Sequence, residues 1–417
     1  MGDQIPTRQQ DAVELTSWKN ISTYLGVTIR TAQNWERDRQ LPVHRLPGKR
    51  SVVHAQSTDL DAWRRSQGIP SVTPSEPRRR PWVWLVVVCL GIAIAASIFL
   101  LVRPPVTPTG WQVSGDTFIA TGTGGRELWS YKFDGRLDES TMRSNGDYVS
   151  FVDLDGDGTN EVLVSAHFLS GQLSQPVVCF SNSGRELWRF TPGREVRTRN
   201  EVFVPLYHVA FIKPMPRMPD GKRYLVISAH HRLYYPNQLA VLGSDGKLVR
   251  EYWHSGHLSA IAFADLDRDG EPEVYLGGVS NGNRTATLVG LKLHDIEGAS
   301  QESKLDYQLL GFRPAHEMVR VLFARSDLNQ VVAPFNAVGS IASSDSSLEL
   351  HLNEALGSGR ALAHYRLDST FAVADVSPGD YFPVEHDELF RQGRLNHKYD
   401  RRRDIDPLRD LTYLRRP

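Results

Sequence analysis

Hydrophobic and polar positions change their spacing twice along the chain, and each change predicts a different kind of structure. Between residues 17 and 66, apolar side chains recur every three or four positions, as in helices that bury one face. Residues 82–102 then contain no charged side chain. Beyond residue 110, short apolar runs end at Gly, Asp or Asn, which is typical of strands joined by tight turns. The pattern predicts a small helical region, one apolar segment and a long β region.

The apolar segment 82–102 predicts a single transmembrane helix. At about 1.5 Å per residue it covers the roughly 30 Å of a bilayer's hydrocarbon core. Arginines precede it at positions 64, 65, 78, 79 and 80, whereas Arg103 alone follows closely. Because cations near a span favour the cytoplasmic side, we expect a single-pass protein of a bacterial cytoplasmic membrane, with its N-terminus in the cytoplasm and its C-terminus outside.

The region before this segment predicts two short helices, a hairpin and a third helix. Ser17 suits the N-cap of a first helix that Gly26 ends, and Thr28 suits the cap of a second helix from Ile29 to Arg37. Strand-like segments then flank the turn Pro47-Gly48-Lys49-Arg50, and Leu60 and Trp63 predict the closing helix.

This order of elements over residues 15–67 resembles the winged helix-turn-helix domain of MerR and excisionase-like proteins. The likeness is carried by Ser17-Trp18-Lys19, Leu25-Gly26-Val27, Arg30-Thr31, Asn34-Trp35-Glu36 and Leu41-Pro42-Val43-His44-Arg45. It implies DNA binding, with candidate contacts at Thr28, Arg30, Thr31, Asn34, Arg37, Arg45, Lys49 and Arg50. Arg30 suits a guanine and Asn34 an adenine edge, while the other cations suit phosphates. A helical domain that binds a protein is the alternative.

The segments around these two regions predict linkers. Residues 1–14 predict a disordered terminus, and the proline-rich stretches 68–81 and 103–110 predict spacers. The first spacer stands where MerR proteins have a dimerisation helix, so pairing must come from elsewhere. Gly91 and Ala95 have the small-residue spacing that lets helices approach closely, which leaves a homodimer open.

Two acidic loops in the β region have the spacing of a Ca²⁺ site. Their carboxylates stand at loop positions 1, 3, 5 and 9, and both have glycine at position 6. The residues are Asp153, Asp155, Asp157 and Glu161 in the first loop and Asp265, Asp267, Asp269 and Glu273 in the second. An EF-hand would need a glutamate at position 12, where Val164 and Leu276 stand. Strand-loop-strand Ca²⁺ binding is favoured over an acidic turn held by hydrogen bonds.

The loops belong to a longer repeat. Phenylalanines at 151, 211, 263, 323 and 371 mark similar segments, with Asp327 and Asp375 as remnants of the acidic loop in the last two. This pattern resembles the FG-GAP or VCBS repeat of integrin-alpha-like β-propellers, which implies a propeller of about five to six blades over residues 111–390. Residues 391–417 hold nine Lys or Arg against four Asp and predict a basic tail.

Composition and missing motifs narrow the function. Residues 1–80 hold 13 Lys and Arg against 8 Asp and Glu, and Cys89 and Cys179 cannot pair across the apolar segment. The chain lacks metalloprotease, serine-hydrolase and phosphate-loop motifs, so we expect no enzyme. The expected fold is a small α+β winged domain, one transmembrane helix and an all-β outer domain. The expected function is a membrane-anchored one-component transcriptional regulator that senses an external ligand, with a polysaccharide or a protein as the candidate ligands. The alternative is an envelope adhesion propeller whose inner domain binds a protein partner.

Overall fold

The structure, a computed structural model, consists of two compact units, Met1–Arg103 and Pro104–Pro417. It describes residues 12–45, 52–70, 89–92, 107–144, 148–170, 174–355 and 361–416.

In the described residues up to position 70, the N-terminal unit has three helices around a three-stranded antiparallel sheet in the order β1-β3-β2. Its elements are β1 (Glu14–Leu15), α1 (Trp18–Leu25), α2 (Ile29–Arg39), β2 (His44–Arg45), β3 (Val53–Gln56) and α3 (Ser57–Ser66). Ile21, Leu25, Leu60 and Ala55 are buried in one core, where the Trp35 and Trp63 rings lie 5.5 Å apart. A short sheet and three short helices thus share one small apolar centre.

The ends of α1 and α2 follow from local chemistry. Ser17 Oγ accepts a hydrogen bond from Asn20 N at 3.1 Å, and Thr28 Oγ1 accepts one from Thr31 N at 3.2 Å. Gly26 ends α1 with a φ of 68°, a conformation that costs glycine little. The predicted caps at Ser17 and Thr28 are confirmed, and α2 extends two residues further than expected.

The second unit is built from five successive antiparallel sheets. The first three sheets contain β4 (Gly110–Ser114), β5 (Thr117–Thr121) and β6 (Glu127–Lys132); β7 (Val149–Val152), β8 (Glu161–Ser165), β9 (Val177–Phe180) and β10 (Glu186–Phe190); and β13 (Tyr207–Pro214), β14 (Leu225–His231), β15 (Asn237–Leu242) and β16 (Leu248–His254). The last two contain β17 (Leu258–Ala264), β18 (Glu273–Ser280), β19 (Thr285–Leu291) and β20 (Val319–Leu322); and β21 (Ala337–Ser343), β22 (Ser347–Asn353), β23 (Leu362–Asp368) and β24 (Val373–Pro378). The strands within each sheet follow chain order.

Short elements connect and extend these sheets. A two-stranded ribbon contains β11 (Val196–Arg197) and β12 (Val202–Phe203), and β25 (Thr412–Arg415) pairs with β20 at the edge of the fourth sheet. The helices are α4 (Glu139–Ser144), α5 (Asp327–Val332), α6 (Phe382–Arg391) and α7 (Arg401–Asp404). Single 3₁₀ turns lie at Thr123–Gly125, Leu293–Asp295, Leu305–Tyr307 and Asp406–Arg409.

Neighbouring sheets repeat one packing contact. Trp129 Nε1 donates to Asn182 O, and Trp188 Nε1 donates to Ser244 O, each at 2.9 Å. Each indole also lies over a positive-φ glycine, Gly184 or Gly246, where a Cβ would come within 3 Å of the ring. The last strand of one sheet therefore packs on the final hairpin turn of the next, which explains the recurring Gly-Arg-Glu-Leu-Trp sequence.

The prediction of a helix-anchored multidomain membrane protein is wrong. Among the described residues, no helix is long and apolar enough to cross a membrane. A span needs about 20 consecutive helical residues, and of the predicted span 82–102 only residues 89–92, which are helical, lie within the described part. The predicted location in a bacterial cytoplasmic membrane depended on that span and is therefore wrong as well. Far more described residues lie in antiparallel strands than in helices, and the helices are short, so the chain as a whole is β-rich rather than of a helix-turn-helix class.

Two further expectations need correction. Phe151, Phe211 and Phe263 each lie on the first strand of a sheet. Phe323 instead follows β20, and Phe371 lies in a turn with a φ of 61°, so neither opens a repeat. Residues 391–417 are no tail, because Ile405 and Leu408 are buried in a core and β25 pairs with β20. Apolar side chains three apart hold this basic segment on the fifth sheet.

Candidate functional sites

Helix α2 presents one polar face and one buried face. Arg30, Asn34 and Arg37 are exposed and stand at helical spacings of four and three residues. Ala32, on the other face, is fully buried, and Trp35 packs partly against the core. The exposed face thus carries the arginine and asparagine that suit base edges.

The candidate DNA contacts differ in how far they are already engaged. Arg37 donates to Asp38 Oδ1 at 2.8 Å and to Asn34 Oδ1 at 3.2 Å, and its hydrogen bond lowers the pKa of Asp38. Arg45 donates three hydrogen bonds to Glu36, at 2.8, 2.9 and 3.1 Å.

Five candidate contacts remain: one arginine, two threonines that cap α2, and two residues of the predicted wing turn. Arg30 forms no hydrogen bond or ion pair with the described residues. Thr28 and Thr31 cap the helix together, their hydroxyls 2.8 Å apart. Lys49 and Arg50 lie outside the described residues. Among the candidate arginines that the structure describes, Arg30 is thus the one whose side chain no described residue engages.

The first acidic loop joins β7 to β8 and brings three of its four carboxylates together. Ligand oxygens of Asp153, Asp155 and Glu161 lie within 4.8 Å of one another. Asp157 stands apart, because its Oδ1 accepts hydrogen bonds from the backbone and hydroxyl of Thr159 at 2.7 and 2.5 Å. Burial raises the pKa of Glu161, whose Oε2 accepts from Leu154 N at 2.8 Å.

The second acidic loop joins β17 to β18 and brings all four carboxylates together. Oxygens of Asp265, Asp267, Asp269 and Glu273 lie within 4.8 Å of one another. Asp265 Oδ1 and Glu273 Oε1 are buried without a hydrogen-bond partner among the described residues. Lys292 Nζ lies 2.5 Å from Asp267 and 2.6 Å from Asp269, and these carboxylates raise the pKa of the lysine. An ammonium group already occupies part of this anionic cluster.

Four histidines gather where three sheets approach one another: two lie on strands of the third sheet, one follows β8 of the second sheet and one precedes β17 of the fourth. His230 lies 4.4 Å from His257 and 5.9 Å from His208, measured between ring centroids, and His167 is close enough for electrostatic coupling to His208 and His230. We call His167, His208, His230 and His257 the histidine cluster. In the sequence His230 stands beside His231 and His257 lies three positions after His254, whereas His167 and His208 carry no motif that would reveal them.

A cavity of about 470 Å³ lies beside the histidine cluster. Tyr234, Tyr235, His257, Arg284, Tyr307 and Phe335 contribute to its wall. Aromatic faces with a few polar groups are typical of small-molecule sites.

A second group that the sequence does not reveal is Asp327, His386, His397 and Asp404, whose ligand atoms lie within 4.8 Å of one another. Asp327, expected as a remnant of an acidic loop, begins α5 instead. The other three residues lie more than 50 positions later in the chain, so no spacing rule connects them with Asp327.

Comparison with known proteins leaves the family open. No protein-family model and no curated protein matches the chain. A protein of unknown function from Bacteroides caccae is 11% identical over 65% of this chain and 73% of its own, with a TM-score of 0.30. The Pseudomonas aeruginosa PilY1 C-terminal domain is 13% identical over 62% of this chain and 56% of its own, with a TM-score of 0.38. At these scores neither likeness supports an argument about function.

Proposed function

We propose that the chain is a ligand-responsive regulator that binds duplex DNA through α2. The single observation that carries this proposal is the exposed Arg30 and Asn34 on a helix whose opposite face is buried. A helix of this width fits the major groove, where an arginine can donate to guanine and an asparagine can bridge adenine. The resemblance of residues 15–67 to MerR-like domains supports the same proposal.

The other basic residues fit a role in holding the DNA backbone. Arg37 and Arg45 are held by Asp38 and Glu36, so each must exchange a carboxylate for a phosphate on binding. Because both pairs are exposed, their strength in water is about 1 kcal/mol or less and the exchange costs little. Binding should therefore weaken steeply as salt rises.

Replacing Arg30 is expected to remove sequence preference. The full chain should enrich particular duplexes from a random-sequence pool, and fluorescence anisotropy should then show Arg30→Ala binding the selected duplex about 10-fold to 100-fold more weakly, because one bidentate base contact contributes about 1–3 kcal/mol. Asn34→Ala should act similarly. Arg65→Ala, which removes an exposed arginine from α3, is the matched control and should change affinity little. Weak, equal binding to every sequence would favour the alternative, a domain that binds a protein partner.

We further propose that the two acidic loops bind Ca²⁺. Ca²⁺ prefers six to eight oxygen ligands, mostly carboxylate and carbonyl. The buried, unpartnered oxygens of Asp265 and Glu273 support the second loop as a site, because buried polar atoms are rarely left without a partner. Lys292 competes there, since its ammonium group neutralises two of the four carboxylates.

Replacing Lys292 is expected to strengthen Ca²⁺ binding. Lys292→Met frees Asp267 and Asp269, so calorimetric titration should show at least about tenfold tighter binding at one site, equivalent to roughly 1.4 kcal/mol. Lys132→Met is the matched control, because the exposed Lys132 pairs with Asp116 at 3.3 Å and neither residue belongs to an acidic loop. Unchanged affinity in Lys292→Met would contradict a Ca²⁺ site in the second loop.

The cavity beside the histidine cluster is where we place the ligand of this regulator. Its aromatic wall offers flat faces for stacking, and Arg284 and Asn281 offer hydrogen-bond donors. This combination suits a polysaccharide chain or an exposed segment of a protein, and polysaccharide and protein are the two ligand classes expected from the sequence.

A further inference from the structure

Two histidines and two aspartates converge where the C-terminal segment meets α5. Asp327 begins α5, His386 lies on α6, His397 lies in the following loop and Asp404 ends α7. The His386 side chain is fully buried and that of Asp404 is 1% exposed. Asp327 is 35% exposed and gives the group one open side. Four potential ligands from four segments therefore surround a nearly dry centre with one entrance.

The distances in this group match a coordination shell. His386 Nε2 lies 3.3 Å from Asp327 Oδ2 and 3.5 Å from Asp404 Oδ2. His397 Nε2 lies 3.5 Å from the same Asp327 oxygen. Four ligands at about 2.1 Å from a tetrahedral zinc ion are separated from one another by roughly 3.4 Å. These three nitrogen–oxygen separations, to Asp327 Oδ2 and Asp404 Oδ2, are thus already those of a tetrahedral site.

A hydrogen-bond network explains this arrangement less well. The His386 nitrogen faces two carboxylates, but its hydrogen bond to Asp327 Oδ2 is long, at 3.3 Å, and Asp404 Oδ2 lies 3.5 Å away, beyond the usual 2.7–3.2 Å. His397 Nε2 does make a short contact, 2.7 Å to Asp404 Oδ1, which a bound metal would have to lengthen by roughly 0.7 Å. A fully buried imidazole aimed between two carboxylates, at a distance too long for a good hydrogen bond, is placed as a metal ligand would be.

Groups around the four residues orient them for metal binding. Asn396 Oδ1 lies 2.8 Å from His397 Nδ1 and can accept a hydrogen bond from the Nδ1–H group, which leaves the Nε2 lone pair for a metal. Asp404 Oδ2 accepts a hydrogen bond from Asp400 N at 2.7 Å. The rings of Phe382 and Tyr399 pack near His386 and keep that side apolar.

We propose that Asp327, His386, His397 and Asp404 bind one divalent transition-metal ion of the zinc type. Imidazole nitrogens and two carboxylates suit Zn²⁺, and the two carboxylate charges balance the ion. The site joins α5, which lies between the fourth and fifth sheets, to the C-terminal segment that continues into β25. The metal therefore acts as a structural clamp that holds this segment on the sheets. It is distinct from the acidic loops, which contain only oxygen ligands.

The test uses the purified full chain after dialysis against a chelator, with excess Ca²⁺ present to fill oxygen-only sites. Calorimetry should show one equivalent of Zn²⁺ bound, and Co²⁺ should give the intense visible absorption of a tetrahedral complex. Zn²⁺ should also raise the melting temperature. Asp327→Asn and His397→Gln, at the two more exposed positions, should each weaken binding at least about tenfold and abolish the tetrahedral spectrum.

The matched control is His351→Gln. His351 and His364 form a histidine pair on the fifth sheet with ring centroids 4.4 Å apart, the obvious place for adventitious zinc. Stoichiometric binding that survives Asp327→Asn and His397→Gln but is lost in His351→Gln would overturn the proposal. So would the absence of stoichiometric Zn²⁺ and Co²⁺ binding in the parent chain. These readouts do not involve DNA, so their failure is separate from failure of the proposed function.

Discussion

Acidification from pH 7 to pH 5 is expected to destabilise the sheet unit severely, because it buries histidines in their neutral form. Burial lowers the pKa of His167 and His230 to about 4 and that of His254 and His257 to about 3. Neighbouring positive charge strengthens the effect, since His208 lowers the pKa of His167 and His230 lowers that of His257.

The direction of the pH effect follows from where protons bind. A histidine in the unfolded chain has a pKa of about 6.5, so below that pH the unfolded state binds a proton at each of these histidines that the folded state does not bind. The contribution of these neutral histidines to stability is fully present above about pH 6.5. It is lost as the pH falls toward their folded-state pKa values of about 4 and about 3. Each such histidine removes about 1.4 kcal/mol per pH unit, or about 2 kcal/mol between pH 7 and pH 5.

The measurement is the slope of unfolding free energy against pH between pH 6.5 and pH 5, from urea titrations followed by circular dichroism. His230→Gln and His257→Gln should each reduce that slope by about 1.4 kcal/mol per pH unit, whatever they do to stability at neutral pH. Burial raises the pKa of Glu317 and Glu354, so these carboxyls change stability with pH in the opposite direction. Their contribution is the same in variant and parent and cancels when the two slopes are subtracted. His294→Gln removes an exposed histidine and serves as the control. Parallel slopes for all four proteins would show that the cluster is not buried as described.

Features set by neighbouring residues could be predicted from the sequence. The Ser17 and Thr28 caps and the Gly26 stop depend on contacts within four residues, and the acidic loops depend on carboxylates within nine positions. The exposure of Arg30 follows from the helical period once those caps are known. Such features need no knowledge of the tertiary fold.

Features assembled from distant segments could not be predicted. The histidine cluster combines residues on or beside three sheets, and the proposed zinc site joins Asp327 to residues more than 50 positions away. Asp157 shows a further limit of sequence reasoning. Its position has the spacing of a Ca²⁺ ligand, but its carboxylate accepts hydrogen bonds from Thr159 and lies apart from the other three. The uncharged run 82–102 shows another: absence of charge is necessary for a span, yet it does not by itself establish one.

A buried ion network connects the third and fourth sheets. Arg320 on β20 is 1% exposed and donates to Glu302 Oε1 at 2.7 Å. It also donates to Gln301 O at 2.8 Å, and Glu317 lies 3.9 Å away. Tyr252 on β16 donates to Glu317 Oε1 at 2.8 Å.

The long loop between β19 and β20, which contains Glu302, also pairs with β16. Trp253 N donates to Gly298 O at 2.9 Å, and Ser300 N donates to Trp253 O at 2.8 Å. One guanidinium group therefore holds this loop and two sheets together.

The protonation of the two carboxylates depends on that guanidinium. Burial by itself would raise the pKa of Glu302, but Arg320 lowers it below the ordinary value. Burial raises the pKa of Glu317 even with Arg320 nearby. Without the arginine, Glu302 would lose its ion-pair partner and Glu317 would keep only the weaker influence of Arg415. Ionised carboxylates are costly to bury unpaired.

Arg320→Met is expected to lower the free energy of unfolding by about 3–5 kcal/mol, because it leaves Glu302 without its buried counterion. Arg313→Met is the matched control: Arg313 also pairs with a glutamate, Glu297, at 3.1 Å, but it is 85% exposed and the change should stay within about 0.5 kcal/mol. Urea unfolding at pH 7 measures both. The double variant Arg320→Met/Glu302→Gln should be more stable than Arg320→Met alone, because it removes the unpaired charge. If the double variant is no more stable, lost packing rather than lost charge compensation explains the effect, and the network does not act as an ion pair.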